Sequence, residues 1–386
     1  MKKFAIIGLL IIAALTSCSN NETADNSFRA EQYRDELRMH DSQVEWWYFF
    51  AFAEGKTTGR EYGIMASFFT FRGGENSPVG HYAIHEVTDL QTGAHYATSR
   101  ADSAFLTTMG NVEEMIYQFL LQRRPSPIEQ MRIDSLKNAR APWPHSRISS
   151  ITTTEWPVYL DYAGDYFRVN SPELSFDCRA AADDYSFDIN LNPVADIVPV
   201  MGTGMVSDVM HYYTFPDLAL SGRVEFEGAV EDIEGRAWFD HQWQDFGGDP
   251  AEIANGWRWA GVQAGDVYIH LYQFHNIFTK ELTGSGMMTI SRNGAEDILR
   301  DVEYRELSQW ISPATGVKYP IASRWESPTA GVIIELAPMA DSQEMHTLTP
   351  LNPSIWEGAC EAIVIIDGDT LSGRAFQELN GFADIK

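Results

Sequence analysis

From residue 43 onward, apolar and polar positions alternate in short runs separated by Gly, Asn and Asp, the pattern of half-buried antiparallel strands. Residues 45–52 lead into a Gly- and Thr-containing turn at 55–59, and residues 62–71 return as the partner, which predicts a hairpin. Later, 220–226, 235–243, 257–263, 267–274 and 286–292 follow one another as a meander, and closure into a barrel removes its edges. One stretch has a different period. Val112, Met115, Ile116, Phe119 and Leu120 recur at helical spacing, Pro125 and Pro127 interrupt, and the pattern resumes over 128–136. Two helices are therefore expected as an insertion at about residues 104–140, either covering a cavity or packing on the outside of the first β unit.

Composition narrows the reading. The 386 residues, 44% apolar, make an ordered chain too long for one small core, and two β units are expected. With 28 basic against 54 acidic residues, the formal charge of −26 repels phosphate backbones, so no nucleic-acid partner is expected. Eleven Trp, 16 Tyr and 21 Phe suit a β-rich core or an apolar cavity with polar handles.

The N-terminus reads as an export signal: Lys2 and Lys3 precede the apolar run 4–15, which is too short to span a bilayer. It ends in Leu15-Thr16-Ser17-Cys18, which resembles the lipobox of bacterial lipoproteins and implies residues 1–17 as signal peptide and Cys18 as the lipid anchor. The polar residues that follow read as a tether over 18–39. The expected location is thus the cell envelope, on the periplasmic or outer-membrane face of a bacterial membrane. Cys178 and Cys360 read as small buried hydrophobes or as a pair.

The ordered motifs carry a resemblance. Val44-Glu45-Trp46-Trp47-Tyr48 with Tyr62-Gly63 and Phe68-Phe69 is followed by His81-Tyr82-Ala83-Ile84-His85, Tyr212-Tyr213, the run 235–243 with Asp240-His241-Gln242-Trp243, then Gly256-Trp257-Arg258-Trp259 and finally Glu378-Leu379-Asn380-Gly381-Phe382. This set resembles the AttH and carotenoid 1,2-hydratase family, which implies an all-β fold of two lipocalin-like antiparallel β-barrel or sandwich domains, taken here as 40–215 and 216–386. Hydratase members carry a Tyr and an acid on the strand after the His-x-Trp segment. Here that strand, 268–274, has no carboxylate.

The residues themselves allow a water-adding mechanism. On a regular strand Phe239, His241 and Trp243 share one face, and Trp238, Asp240 and Gln242 the other. Convergence of Asp240 and His241 requires a bulge, for which Gly247 and Gly248 are the candidates. Asp240 is the expected acid, with Glu45 the alternative, and His241 the group that orients water. Glu45 is otherwise expected to pair with Arg236 or Arg258. Trp47, Trp243, Trp257, Trp259, Tyr268, Tyr272 and Gln263 are the expected substrate contacts. His81 and His85 share a face without a third ligand in spacing, so no metal and no organic cofactor is expected. The expected function is hydratase- or isomerase-type acid–base chemistry, as of a carbon–oxygen lyase, on an apolar polyene or terpenoid-like molecule. The alternatives are a carrier for a hydrophobic small molecule and a secreted hydrolase, for which no Gly-x-Ser-x-Gly elbow is found.

Overall fold

A computed structural model describes residues 28–74, 77–206, 209–245, 255–348 and 353–384. The signal segment, Cys18 and residues 19–27 of the expected tether lie outside the described residues.

The chain builds two β units. The first is an open 13-stranded sheet whose middle holds the Val44–Gly55 and Glu61–Arg72 hairpin beside the long Met210–Phe226 and Ala229–Gln244 hairpin. The second is a nine-stranded sheet that closes into an eight-stranded barrel where Val332–Pro338 pairs with Ser354–Ile366. The division between the sheets falls after Gln244, not between residues 215 and 216, because the 210–244 hairpin pairs with Val44–Gly55 on one side and Tyr185–Pro193 on the other. The meander noted in the sequence is thus shared between the two units.

Both interiors hold large buried apolar side chains. Trp47, Phe49, Phe167 and Phe239 lie in the first core, and Trp325, Trp356 and Tyr319 in the barrel. A third apolar cluster holds the units together: Tyr48, Phe50 and Trp238 from the sheet meet Trp259, Ile355, Ala359 and Phe376 from the barrel. This seam explains why 46–53 reads as a nearly continuous apolar run, since the strand is buried on both faces. Gly261 allows the close approach. A Cβ there would stand 3.0 Å from Phe50 Cε1 and 3.1 Å from Trp238 Cε2.

The helical insertion comprises Ser103–Met115, extended by a π turn at Ile116–Leu120, and Pro127–Lys137. Asp102 caps the first helix by accepting the Phe105 N–H, and Ser126 with Glu129 forms a capping box on the second. Phe105, Leu106, Met109 and Leu136 join the seam cluster, with Phe105 stacked on Tyr82 at 4.7 Å. The insertion packs on the outer face of Val79–Asp89.

Residues 28–39 are not a free tether. Ala30 and Leu37 are buried in the first core, with Phe28, Tyr33 and Met39 packed against it, because apolar side chains recur there at helical spacing. Cys178 and Cys360 are free and belong to different cores. No helix among the described residues is long and apolar enough to cross a membrane.

Candidate active site

Residues 44–55 pair with 233–244 without a break in register, Trp47 facing His241 and Tyr48 facing Asp240. Regular pleating therefore sends Asp240 and His241 to opposite sides of the sheet. The strand keeps its register through Gln244, and Gly247 and Gly248, the expected bulge, lie outside the described residues; Asp240 and His241 themselves face opposite ways, so His241 is not the group that orients water for Asp240.

Asp240 points into the seam. It is 1% exposed and accepts hydrogen bonds from the Tyr212 hydroxyl at 2.6 Å and the Trp238 indole N–H at 2.8 Å. Tyr212 also lies 2.7 Å from His270 Nε2, to which the Trp259 indole N–H donates at 3.1 Å. An indole N–H only donates, so His270 Nε2 is a lone pair. One phenolic proton thus has two acceptors. With Asp240 ionised, Tyr212 donates to Asp240; with Asp240 protonated, Asp240 donates to Tyr212 and Tyr212 to His270 Nε2, whose one lone pair it then shares with the Trp259 N–H. Burial pushes the Asp240 carboxyl up to about 7 against the pull of Tyr212, Thr214 and Trp238, and holds His270 down to about 3. A cavity of about 10 Å³, room for roughly one water, touches Tyr212, His270, Tyr272, Met201 and Met287.

More acids share the seam. Glu86 and Glu357 are buried, Glu378 is partly buried, and Glu357 stands directly opposite Glu378 across the Ser354–Ile366 and Asp369–Asn380 strands. Tyr48 donates to Glu357 Oε2 at 3.4 Å, Trp257 hydrogen-bonds Glu378, and neither oxygen of Glu86 makes a hydrogen bond, His95 Nε2 lying 3.7 Å from its Oε2. Among the described residues, none of these carboxyls, Asp240 included, pairs with a Lys or Arg. Burial raises Glu86 and Glu357 well above the ordinary carboxylate range, and Glu378 to about 8.

The inner side of the same strand carries a second group. Glu45 Oε1 lies 2.9 Å from both His241 Nε2 and His40 Nδ1, and the three residues could hold a metal ion. Its partners are these histidines, not Arg236, which pairs with Asp217, nor Arg258, which faces Tyr304 and Phe382 inside the barrel. Burial lowers His241 to about 3, lowers His40, and raises Glu45. Trp47 stacks on His241 at 4.8 Å and Trp243 on His40 at 3.7 Å. A cleft of about 330 Å³ borders His40, Ser42, His211, Trp243 and Asp245.

Residues 32–382 match the AttH-like family model. The chain belongs to the AttH-like family. An AttH protein of Nitrosomonas europaea shares its fold at a TM-score of 0.67 and 20% identity, over 90% of this chain and 95% of that one. Kievitone hydratase from Nectria haematococca matches at 0.64 and 14%, over 93% and 94%, and CghA bound to Sch210972 at 0.54 and 10%, over 89% and 90%. No curated protein matches in sequence. At these identities the likeness is one of fold.

In this AttH-like chain the expected substrate contacts divide. Trp257, Trp259, Tyr268 and Tyr272 line the seam cluster, whereas Trp47 and Trp243 belong with the His40, Glu45 and His241 group. Tyr268 and Gln263 act as latches: the Tyr268 hydroxyl donates to Asp217 Oδ2 at 2.7 Å, and Gln263 Nε2 donates to the carbonyls of Pro216 at 2.7 Å and Ala237 at 3.1 Å. Tyr212, His270, Trp238, Glu86, Glu357, Glu378 and His40 were not singled out as site residues. An acid inside an apolar strand was the available signal for Glu86, Glu357 and Glu378.

Proposed function

We propose that this AttH-like protein is an acid–base enzyme of hydratase or isomerase type, acting at the seam on an apolar polyene-like or terpenoid-like molecule, with Asp240 as the acid. The observation that carries this reading is a fully buried carboxyl without a cationic partner, one phenol away from a cavity. A carboxyl so placed keeps a transferable proton. The proton leaves Asp240 for the Tyr212 oxygen while Tyr212 gives up its own to one carbon of a double bond. The cation left on the other carbon meets the rings of Tyr272 and Trp259, each contact worth about 1 kcal/mol. Capture by water, with its proton returned through Tyr212 to Asp240, completes a hydration. Loss of a neighbouring C–H proton along the same path completes an isomerisation.

The cavity holds about one water, so a substrate enters by displacing its walls, of which Met201 and Met287 are the adaptable ones. The likeness to a kievitone hydratase supports a hydration chemistry. A carrier would need a hollow β unit, and the large buried aromatic side chains in both cores favour the seam reading. The proposed location is the bacterial cell envelope, with Cys18 acylated, resting on the lipobox-like Leu15-Thr16-Ser17-Cys18.

Mass spectrometry of lipid extracted with the purified protein, followed by turnover of that lipid class, tests the reading. The expected result is an unsaturated apolar molecule that wild type converts and Asp240→Asn binds but does not convert. Equal loss of binding and turnover in a folded Asp240→Asn protein overturns a chemical role.

A further inference from the structure

The side of the strand away from Asp240 poses a problem of proton counting that is independent of the seam chemistry. His241 Nδ1 lies 2.6 Å from the Glu36 carbonyl, and His40 Nε2 lies 3.0 Å from the Asp35 carbonyl. A carbonyl oxygen only accepts, so each of these nitrogens carries its ring's proton. A neutral imidazole has one N–H. The opposite nitrogens, His241 Nε2 and His40 Nδ1, therefore present lone pairs, and both face the same atom, Glu45 Oε1, at 2.9 Å. A carboxyl oxygen supplies at most one hydrogen. At least one further positive centre is needed among the three groups.

The surroundings match what a metal ion requires. Imidazoles that ligate a metal donate their far N–H to a carbonyl or carboxylate, which fixes tautomer and ring direction, and both rings here do so. The His40 backbone N–H donates to both Glu45 oxygens at 3.0 Å, which fixes the carboxylate as well. Trp47 and Trp243 hold the ring planes of His241 and His40 by stacking.

We propose that His40 Nδ1, His241 Nε2 and the Glu45 carboxylate bind one divalent first-row transition-metal ion. These ligand atoms lie within 4.8 Å of one another. A tetrahedral ion with bonds near 2.0–2.2 Å needs its ligand atoms roughly 3.3 Å apart, so Glu45 Oε1 withdraws from each nitrogen by a few tenths of an ångström while the widest pair of the set closes by at most roughly 1.5 Å. Two imidazoles and one carboxylate suit Zn²⁺, Co²⁺ or Fe²⁺ better than Mg²⁺ or Ca²⁺, which favour all-oxygen sites. The cleft bordering His40 is the entry path, and Asp245 on its wall attracts cations, whereas Asp41 beside it is paired with Arg72.

Equilibrium dialysis of the chelator-stripped full chain against Zn²⁺ alone, and against Co²⁺ alone, tests the site at neutral pH. The expected result is about one ion per chain, a rise in melting temperature with Zn²⁺, and for Co²⁺ the visible bands of a low-coordinate nitrogen and oxygen site. Because His241 is fully buried, the variants used are His40→Ala, at the cleft, and Glu45→Gln, which keeps its volume. Each is expected to weaken Zn²⁺ binding by about 100-fold or more. Fewer than about 0.1 ion per wild-type chain overturns the proposal and leaves a shared proton as the missing positive centre. Zn²⁺ binding by both folded variants as tight as that of wild type also overturns it.

Discussion

Asp240 and His241 are consecutive residues that never meet: Asp240 accepts from Tyr212 in the seam, and His241 faces Glu45 on the other side of the sheet. The strand between them makes two chemically separate sites from one dipeptide. A substitution at Asp240 is therefore expected to act on seam chemistry alone. Asp240→Asn lowers turnover by on the order of 10²-fold or more while Zn²⁺ uptake stays at the wild-type level. Measuring both in one preparation checks this; loss of Zn²⁺ uptake in a folded Asp240→Asn protein contradicts it.

Tyr212 is the hinge of the seam network, since its single hydroxyl touches Asp240 and His270 at once. Tyr212→Phe keeps the ring and removes the hydroxyl. It is expected to reduce kcat by roughly 10²-fold with little change in KM, and to cost about 1–3 kcal/mol of stability from the partners left unsatisfied. Steady-state kinetics with urea unfolding measures both. A KM effect without a kcat effect assigns Tyr212 to binding.

The seam acids make stability fall with pH. Glu378 faces Glu357, with Asp240, Glu86, Tyr48 and Trp257 around the pair, and its pKa is raised by burial from 4.5 to about 8. A group that holds its proton more tightly folded than unfolded contributes fully below its unfolded pKa, near 4.5, and that contribution is lost as pH rises through about 8. Glu378→Gln is thus expected to gain stability relative to wild type as pH rises from about 5 to 8. Melting temperatures across that range decide it, and a difference independent of pH counts against the raised acid.

Gln263 ties the two units together by donating to the Pro216 and Ala237 carbonyls. Gln263→Ala is expected to destabilise the protein by about 1–3 kcal/mol, measured as a lower urea midpoint. An unchanged midpoint shows that the stacked rings of the seam carry the contact without it.

Much of this architecture was legible in the sequence, and the limits are instructive. Alternation assigned Trp238, Asp240 and Gln242 to one face and Phe239, His241 and Trp243 to the other, as the register confirms. The pairing of 233–244 with 44–55 is unbroken, so nothing over this stretch turns Asp240 and His241 to one side. Tyr212 and His270 reach Asp240 only through strand pairing and the docking of two sheets, neither of which leaves a local spacing. Glu86, Glu357 and Glu378 come from three strands for the same reason. His40 stands one residue past the segment 18–39 expected to be a tether, in which Ala30 and Leu37 in fact anchor the chain to the core; no local motif marks it.

The most direct measurement is turnover of an alkene substrate in D₂O, with product deuterium read by mass spectrometry for wild type, Asp240→Asn and Tyr212→Phe. If Asp240 supplies the proton through Tyr212, wild type places solvent deuterium on a former double-bond carbon and both variants lose product and label together. Product labelled at the wild-type rate by folded Asp240→Asn contradicts the account.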